Sequence, residues 1–395
     1  MKIGIVLPEA PAYSETFFNS KIRGLIESGF EVIVFSGSRA SEKYNFEHAG
    51  AYPVYKSKKL KQLLLTLFVI SFTFLIQPGR VIKLYKLERK SGRSLNQSMK
   101  SIYFNSHILQ KNVDWLHFGF ATMSLNRENV ANAIGARMGV SFRGYDLNIY
   151  PLKNPGCYDL LWNNVDKVHS ISNYLYEKAL RLGLPGNIGK EIITPAIDFS
   201  VFKVKADLGK IKSPLQILTV GRLNWIKDYE TALSAMKILK EKKVNFIYSI
   251  IGEGSELERL RFAVHQMKLE DNVLFLGKLA HTEINRKMAE SDIYLQTSMQ
   301  EGFCVSVLEA QASGLLCVVS NADGLQENVI DNETGFIVEK RKPGKFADKI
   351  IEIIKMTDEE RMQIAISARN RVEQDFKIED QKIKFKNFFG DQIDG

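Results

Sequence analysis

The feature that most constrains this chain is an alternation that runs along it, stops, and starts again. Ile3–Leu7, Glu31–Ser36, Trp115–Phe118, Val140–Arg143 and Lys167–Ser170 read as short strands, with Thr16–Ser28 the first of the helical stretches between them. Short β-branched runs alternating with helical stretches predict a parallel sheet covered on both sides. After Asp198–Pro214, a polar, lysine-containing connector, the pattern restarts with Leu215–Val220, Phe246–Ile251, Val273–Leu276, Ile293–Thr297, Leu316–Ser320 and Phe336–Val338. At 395 residues the chain is too long for one compact core and suited to two. The expected fold class is α/β, with two doubly wound, Rossmann-like parallel-sheet domains over residues 1–200 and 201–376. Ligands are expected at the carboxyl ends of the strands, in a cleft between the domains.

Composition and charge remove several function classes. Hydrophobic residues make up 45% and charged residues 25%, the balance of a soluble globular protein. Cys157, Cys304 and Cys317 form no Cys-x-x-Cys pair, which argues against a disulfide scaffold and for a reducing cytoplasm. The apolar start Met1–Pro8 is too short before Glu9 to read as a signal peptide. The net charge of +9 is local: between Lys56 and Arg93 ten basic residues face one acid, Glu88, and the remainder of the chain balances. These cations bracket Leu63–Ile76, the most apolar stretch of the chain. As a helix it reaches roughly 21 Å, short of the ~30 Å bilayer core, so it is not expected to span. It reads as an interfacial helix on an anionic membrane or, alternatively, as a buried helix with a solvated basic neighbour. No nucleic-acid recognition motif accompanies the charge, and no nucleic-acid partner is expected.

A dinucleotide dehydrogenase shares this outline, but the loop after the first strand, Leu7-Pro-Glu-Ala-Pro, lacks the Gly-x-Gly-x-x-Gly fingerprint. Ile251-Gly-Glu-Gly by itself reads as a tight turn. The chemistry lies after the first strand of the second domain, in Val220-Gly-Arg-Leu-Asn-Trp-Ile-Lys-Asp-Tyr. Gly221 lets the backbone turn, and Arg222 and Lys227 precede the helix starting near Tyr229, so both can converge on one anion. Arginine offers a planar fork and lysine a compact charge, together suited to a diphosphate. After Ile293–Thr297, Glu301 falls in a loop, and Gly302-Phe303-Cys304 is expected to open a helix with free amides. Glu309, eight residues on, lies about two turns along that helix. A loop acid suits sugar hydroxyls and a helical acid suits both hydroxyls of a ribose. The order matches a nucleotide diphosphate sugar laid across the strand ends.

With these residues in place, the chain resembles the glycosyltransferases of family 4, retaining enzymes of the GT-B fold. The likeness extends over nearly the whole chain and is densest from Gly221 to Val338, where Glu301 and Glu309 match both acids of the family's Glu-x7-Glu motif. Ile251-Gly-Glu-Gly-Ser-Glu-Leu, Phe275-Leu-Gly-Lys-Leu, Gly324-Leu-Gln-Glu and Thr334-Gly-Phe-Ile-Val also match. The resemblance implies that Arg222 and Lys227 grip the diphosphate and Glu301 touches the donor sugar. It also implies that Glu309 holds the ribose and that the backbone at Gly277, Lys278 and Leu279 lines the base. A C-terminal helix over 377–395 is expected to cross back to the first domain.

First-domain likenesses are looser. Pro11-Ala-Tyr-Ser-Glu-Thr-Phe resembles the loop of members that build bacterial surface polysaccharide, which makes Ser14 and Glu15 acceptor candidates. Ser141-Phe-Arg-Gly-Tyr-Asp resembles a segment where many members carry histidine before the glycine; here Arg143 stands there, with Asp146 beyond it. Arg143 cannot serve as a base and is left to orient substrate or stabilise charge. The resemblance tolerates this, because in a front-face reaction the leaving phosphate takes the acceptor's proton. His117 ends a strand, and both an acceptor role and a structural one stay open. His48, His107, His169, His265 and His281 show no ligand spacing, so no metal and no cofactor is expected. The activity implied is metal-independent transfer from a nucleotide diphosphate sugar, UDP-linked in first place, to a surface polysaccharide, lipopolysaccharide or lipid-linked glycan at the inner membrane face. A nucleotide-sugar epimerase or hydrolase, or an inactive membrane-attached scaffold, are the alternatives.

Overall fold

The computed structural model describes residues 1–9, 16–38, 45–205 and 207–390. It divides into two units, Met1–Ile193 with Lys382–Gly395, and Thr194–Gln381. The division falls at 193/194, a little before the position read from the connector.

In the first unit, strands β1 (Lys2–Val6), β2 (Glu31–Ser36), β3 (Glu47–Gly50), β4 (Trp115–Phe118), β5 (Arg137–Phe142), β6 (Lys167–Ser170) and β7 (Gly189–Ile192) form one sheet. Its order is β3-β2-β1-β4-β5-β6-β7, and every pairing is parallel. β3 and β7, absent from the sequence reading, are its two edges. The sheet's core joins Ile3, Ile5, Val34 and Trp115 to Phe385, Phe388 and Phe389 of the terminal helix Ile378–Gly390. That helix is aromatic on the side it buries, where Phe388 and Phe389 meet Trp115 at ring-centroid distances of 5.9 and 5.7 Å.

Between β3 and β4 the chain inserts three helices, Lys59–Ile76, Pro78–Lys90 and Leu95–Leu109. Pro78 opens the second at a position where its missing N–H costs nothing. Ser94 and Gln97 close a capping box on the third, at 2.8 and 3.2 Å. The apolar stretch thus belongs to an eighteen-residue helix that begins at Lys59, with only Val69 and Thr73 buried. The buried-helix alternative is overturned: Leu60 is 71% and Leu75 79% exposed.

The second unit holds β8 (Leu215–Val220), β9 (Phe246–Ile251), β10 (Val273–Gly277), β11 (Ile293–Gln296), β12 (Leu316–Ser320) and β13 (Phe336–Val338), ordered β10-β9-β8-β11-β12-β13. This is the doubly wound order in which the chain reverses direction between the first and fourth strands. The loops after β8 and β11 therefore leave the sheet side by side, diverging toward opposite halves, and open a crevice between them.

Candidate functional site

The crevice beyond β8 and β11 is built from backbone first. Tyr229 donates its hydroxyl to the Gly221 carbonyl at 2.9 Å, and the Lys227 stem packs alongside, with its Cε 3.5 Å from where a Cβ on Gly221 would stand. Lys227 ends a short 3₁₀ turn, Trp225–Lys227, and Asp228 follows at φ 50° as the cap of the helix Tyr229–Glu241. The β11 side ties this turn down: Thr297 donates its hydroxyl to the Asp228 carbonyl at 2.9 Å, and the Met299 N–H donates to Ile226 O at 2.8 Å. On the other flank Gly252 and Gly254 let the loop after β9 press on the same segment, since a Cβ would fall 2.0 Å from Gly221 O and 2.1 Å from Leu223 O. The Gly-Glu-Gly run is thus a packing device for the loop that carries Arg222 and Lys227.

Onto this frame the structure brings one ion pair that spans both loops. Lys227 Nζ lies 2.6 Å from Glu301 Oε1, with only 16% and 11% of the two side chains exposed. Burial opposes the lysine charge, but the Glu301 carboxylate outweighs it and holds Lys227 above the ordinary lysine value, hence protonated at neutral pH. Arg222 stands exposed beside it, near enough that its charge acts against that of Lys227. Two cations at one crevice, a planar fork and a compact ammonium, are suited to a diphosphate.

Glu301 is itself oriented. Ser298 donates its hydroxyl to Glu301 Oε1 at 2.7 Å, and Gln296 Nε2 donates to Ser298 Oγ at 2.6 Å. Gln296 and Ser298 escaped the sequence reading; the one available signal was a serine three residues before the acid.

The helix after this loop starts later than expected, at Val305, and runs only to Ala312. Cys304 is not an anion-binding amide: its N–H donates to Asn328 Oδ1 at 3.0 Å while Asn328 Nδ2 donates back to Cys304 O at 3.0 Å. Burial pushes the Cys304 thiol up, so it is no nucleophile. Phe303 is 8% exposed and packs on Phe376 at 5.7 Å, a core contact. Gly302 is buried as well.

Glu309 meets a residue that spacing had dismissed. His281 Nε2 lies 3.1 Å from Glu309 Oε1, the histidine half exposed and the acid 13% exposed. The hydrogen bond to Glu309 raises His281 above its ordinary 6.5. A raised histidine contributes stability that is fully present below the unfolded value and fades as pH climbs through the folded one. His281→Gln is therefore expected to lower Tm at about pH 6 and to match wild type well above pH 8, measured by calorimetry across that range. Gly277, at φ 67°, ends β10 and accepts the Gly252 N–H at 2.8 Å; Lys278 is exposed, and Leu279 packs against the sheet.

In the first unit the picture differs. Ser14 and Glu15 lie outside the described residues. His117 is fully buried between Phe388 and Phe389, with ring centroids 5.4 and 5.3 Å away, which corrects its candidacy as an acceptor contact. Its Nε2 approaches Lys21 Nζ at 2.9 Å and Ser141 Oγ at 2.8 Å. Ser141 in turn meets His169 Nδ1 at 2.8 Å, and His169 Nε2 donates to Ile193 O at 3.0 Å. Burial holds both histidines well below the ordinary range, so they are neutral. Asp146 is equally enclosed: its carboxylate accepts backbone N–H groups of Ala121 at 3.1 Å, Arg143 at 3.1 Å and Gly144 at 2.7 Å, a loop-shaping role that corrects its acceptor assignment. Arg143 sits over the Phe18 ring at 4.4 Å and donates Nε–H to Gly119 O at 3.2 Å. Burial draws it down to about 9, still a cation at neutral pH. Among the described residues no group of three His, Cys, Asp or Glu side chains is placed to hold a metal ion.

Residues 201–371 match the family described as "Glycosyl transferases group 1". The chain is 26% identical over 398 residues to the amylovoran biosynthesis glycosyltransferase AmsK of Erwinia amylovora, covering 95% of this chain and 96% of that one. It is 26% identical over 404 residues to the putative colanic acid biosynthesis glycosyltransferase WcaL of Escherichia coli, with the same coverage. Among solved structures, HepE of Anabaena in complex with UDP and glucose superposes with a TM-score of 0.73 at 15% identity, over 99% of this chain and 100% of that one. At that identity the likeness shows the fold alone.

Proposed function

Taking residues 201–371 as a glycosyl transferases group 1 domain on a GT-B fold, we propose that the chain is a retaining, metal-independent glycosyltransferase of surface-polysaccharide biosynthesis. The donor is a nucleotide diphosphate sugar, UDP-linked in first place, and the acceptor a growing glycan or lipid-linked glycan at the cytoplasmic face of an anionic membrane. The observation that carries this reading is the Lys227–Glu301 pair at 2.6 Å beside Arg222, at the point where the sheet reverses direction. The polysaccharide context is supported by the names of the AmsK and WcaL relatives, and the UDP preference by the ligand of HepE.

In this reaction the bond from the anomeric carbon to the diphosphate oxygen breaks as the acceptor oxygen bonds the same face. The acceptor's proton passes to the departing phosphate. Lys227 and Arg222 stabilise the negative charge growing on that phosphate, which is where preorganised cations lower a barrier most. Glu301, fixed by Ser298, orients the sugar and keeps Lys227 in place before the donor arrives. Glu309 accepts the ribose hydroxyls, with His281 setting the carboxylate's orientation. No protein base is required.

Thermal unfolding with UDP, GDP and ADP tests the donor site. At a hundred times its dissociation constant a ligand adds ~2.7 kcal/mol, or roughly 5–10 °C for a domain of this size. One nucleotide should give that shift in wild type and not in Arg222→Ala or Glu309→Ala; no shift with any nucleotide in folded protein would sink the reading.

A further inference from the structure

The helix Lys59–Ile76 carries an apolar surface that no described residue covers. Val69 and Thr73, one turn apart, form its buried stripe, and Gln110 Nε2 donates to Thr73 Oγ1 at 2.8 Å. That stripe docks the helix along the first unit, although by length and composition it could cross a membrane. Elsewhere Leu63, Leu64, Leu67 and Phe68 face solvent, each more than half exposed. A soluble monomer rarely shows so large a continuous apolar face unless something binds there.

Beside this face opens a groove of about 510 Å³, formed with the helices Pro78–Lys90 and Leu95–Leu109. Its lining is apolar apart from Ser71 and Tyr85, and includes Ile70, Phe74, Ile82 and Met99. The charge lies next to it. Lys86 stands one helical turn beyond Ile82, so the row that lines the groove continues into a cation. Lys83 and Lys90 are exposed on the same helix.

We propose that this groove holds one aliphatic chain of an anionic, phosphate-headed membrane lipid, its headgroup resting on the cations of the helix Pro78–Lys90. The proposal deepens the membrane reading above and rests on it. An apolar slot ending in lysines complements a molecule that is greasy at one end and negative at the other. A second copy of this chain fits poorly, because a two-fold contact would bring the same basic surface against itself.

The full chain is titrated by calorimetry with dioctanoyl phosphatidic acid below its aggregation concentration. In parallel it is floated with phosphatidylcholine vesicles, with and without phosphatidylglycerol. Ile82→Trp fills the groove, Lys86→Glu reverses the nearest charge, and Leu64→Ser/Phe68→Ser weakens the exposed face without touching the lining. The expected result is one lipid per chain. Ile82→Trp and Lys86→Glu should weaken it at least about tenfold, the equivalent of roughly two methylene groups leaving an apolar surface. Leu64→Ser/Phe68→Ser should float less and bind the short lipid as wild type does. Each variant is checked for an intact nucleotide shift, which reports on the second unit, and for native circular dichroism. Flotation on anionic vesicles without short-lipid binding would overturn the groove and leave the membrane reading standing. Loss of both would overturn both. A dimer in light scattering that Ile82→Trp dissociates would assign the groove to a second copy and end the proposal.

Discussion

Replacing Lys227 with methionine is expected to lower kcat by about 10²–10³-fold, the usual cost of deleting one preorganised charge that meets a developing anion. The physical ground is the geometry of the pair: Lys227 and Glu301 lie 2.6 Å apart and mostly enclosed, so the ammonium is charged and aimed before any donor binds. The variant also leaves the Glu301 carboxylate with Ser298 alone, which should lower Tm, since breaking one side of an enclosed pair strands the other. Adding Glu301→Gln removes the stranded charge. The double variant Lys227→Met/Glu301→Gln should therefore regain thermal stability relative to Lys227→Met while remaining as inactive. Single-turnover transfer and calorimetry on the four proteins of the cycle measure both quantities. If turnover recovers together with Tm, the lysine is structural and the assignment of the diphosphate to it is wrong.

Phe388→Ala should produce the largest loss of stability in the molecule, about 3–5 kcal/mol in the first unit, the range for deleting a fully enclosed phenylalanine. The ring is 0% exposed and touches Trp115, with centroids 5.9 Å apart, and His117, at 5.4 Å. Its loss opens a void against a buried histidine that is already neutral, and water entering there would favour protonation and compound the damage. At roughly 2–4 °C per kcal/mol, the first unit's transition should fall by about 10 °C. The nucleotide-dependent shift of the second unit should survive, because the residues proposed to bind the donor lie in Thr194–Gln381. Calorimetry with and without nucleotide separates the two; an unchanged transition would mean that the terminal helix adds little to that core.

The candidate site shows where legibility in the sequence ends. Arg222, Lys227, Glu301 and Glu309 stood out because each follows a recognisable strand at a short distance, and strand ends are where α/β sheets bind ligands. His281 did not stand out: it is 28 positions from Glu309, and its only sequence criterion was metal spacing, which it lacks. His117 was ambiguous because the end of a strand can face either a ligand or a covering helix. The helix that covers it lies at the far end of the chain. Gly302–Cys304 looked like free helical amides, yet Asn328 occupies the Cys304 amide from a turn more than twenty residues away.

The strands divide in the same manner. β8, Leu-Gln-Ile-Leu-Thr-Val, and β12, Leu-Cys-Val-Val-Ser, are mostly apolar and sit inside their sheet, so composition alone reveals them. β3, Glu-His-Ala-Gly, and β7, Gly-Lys-Glu-Ile, have no such run; they are edges, and pairing with β2 and β6 makes them strands.

By itself the sequence determined the alternation of strands and helices, its restart after the connector, and which cations and acids stand at the strand ends. Those properties depend on residue type and on periods of two to four residues, which a chain carries locally. The tertiary structure alone decided that Lys227 meets Glu301 across 74 positions, that Glu309 meets His281, and that Phe385, Phe388 and Phe389 complete the first unit's core. It also left the face of Lys59–Ile76 open. Each of these follows from the order of strands in a sheet and from what lies over them, and that order is settled by packing among distant segments, which no local period encodes.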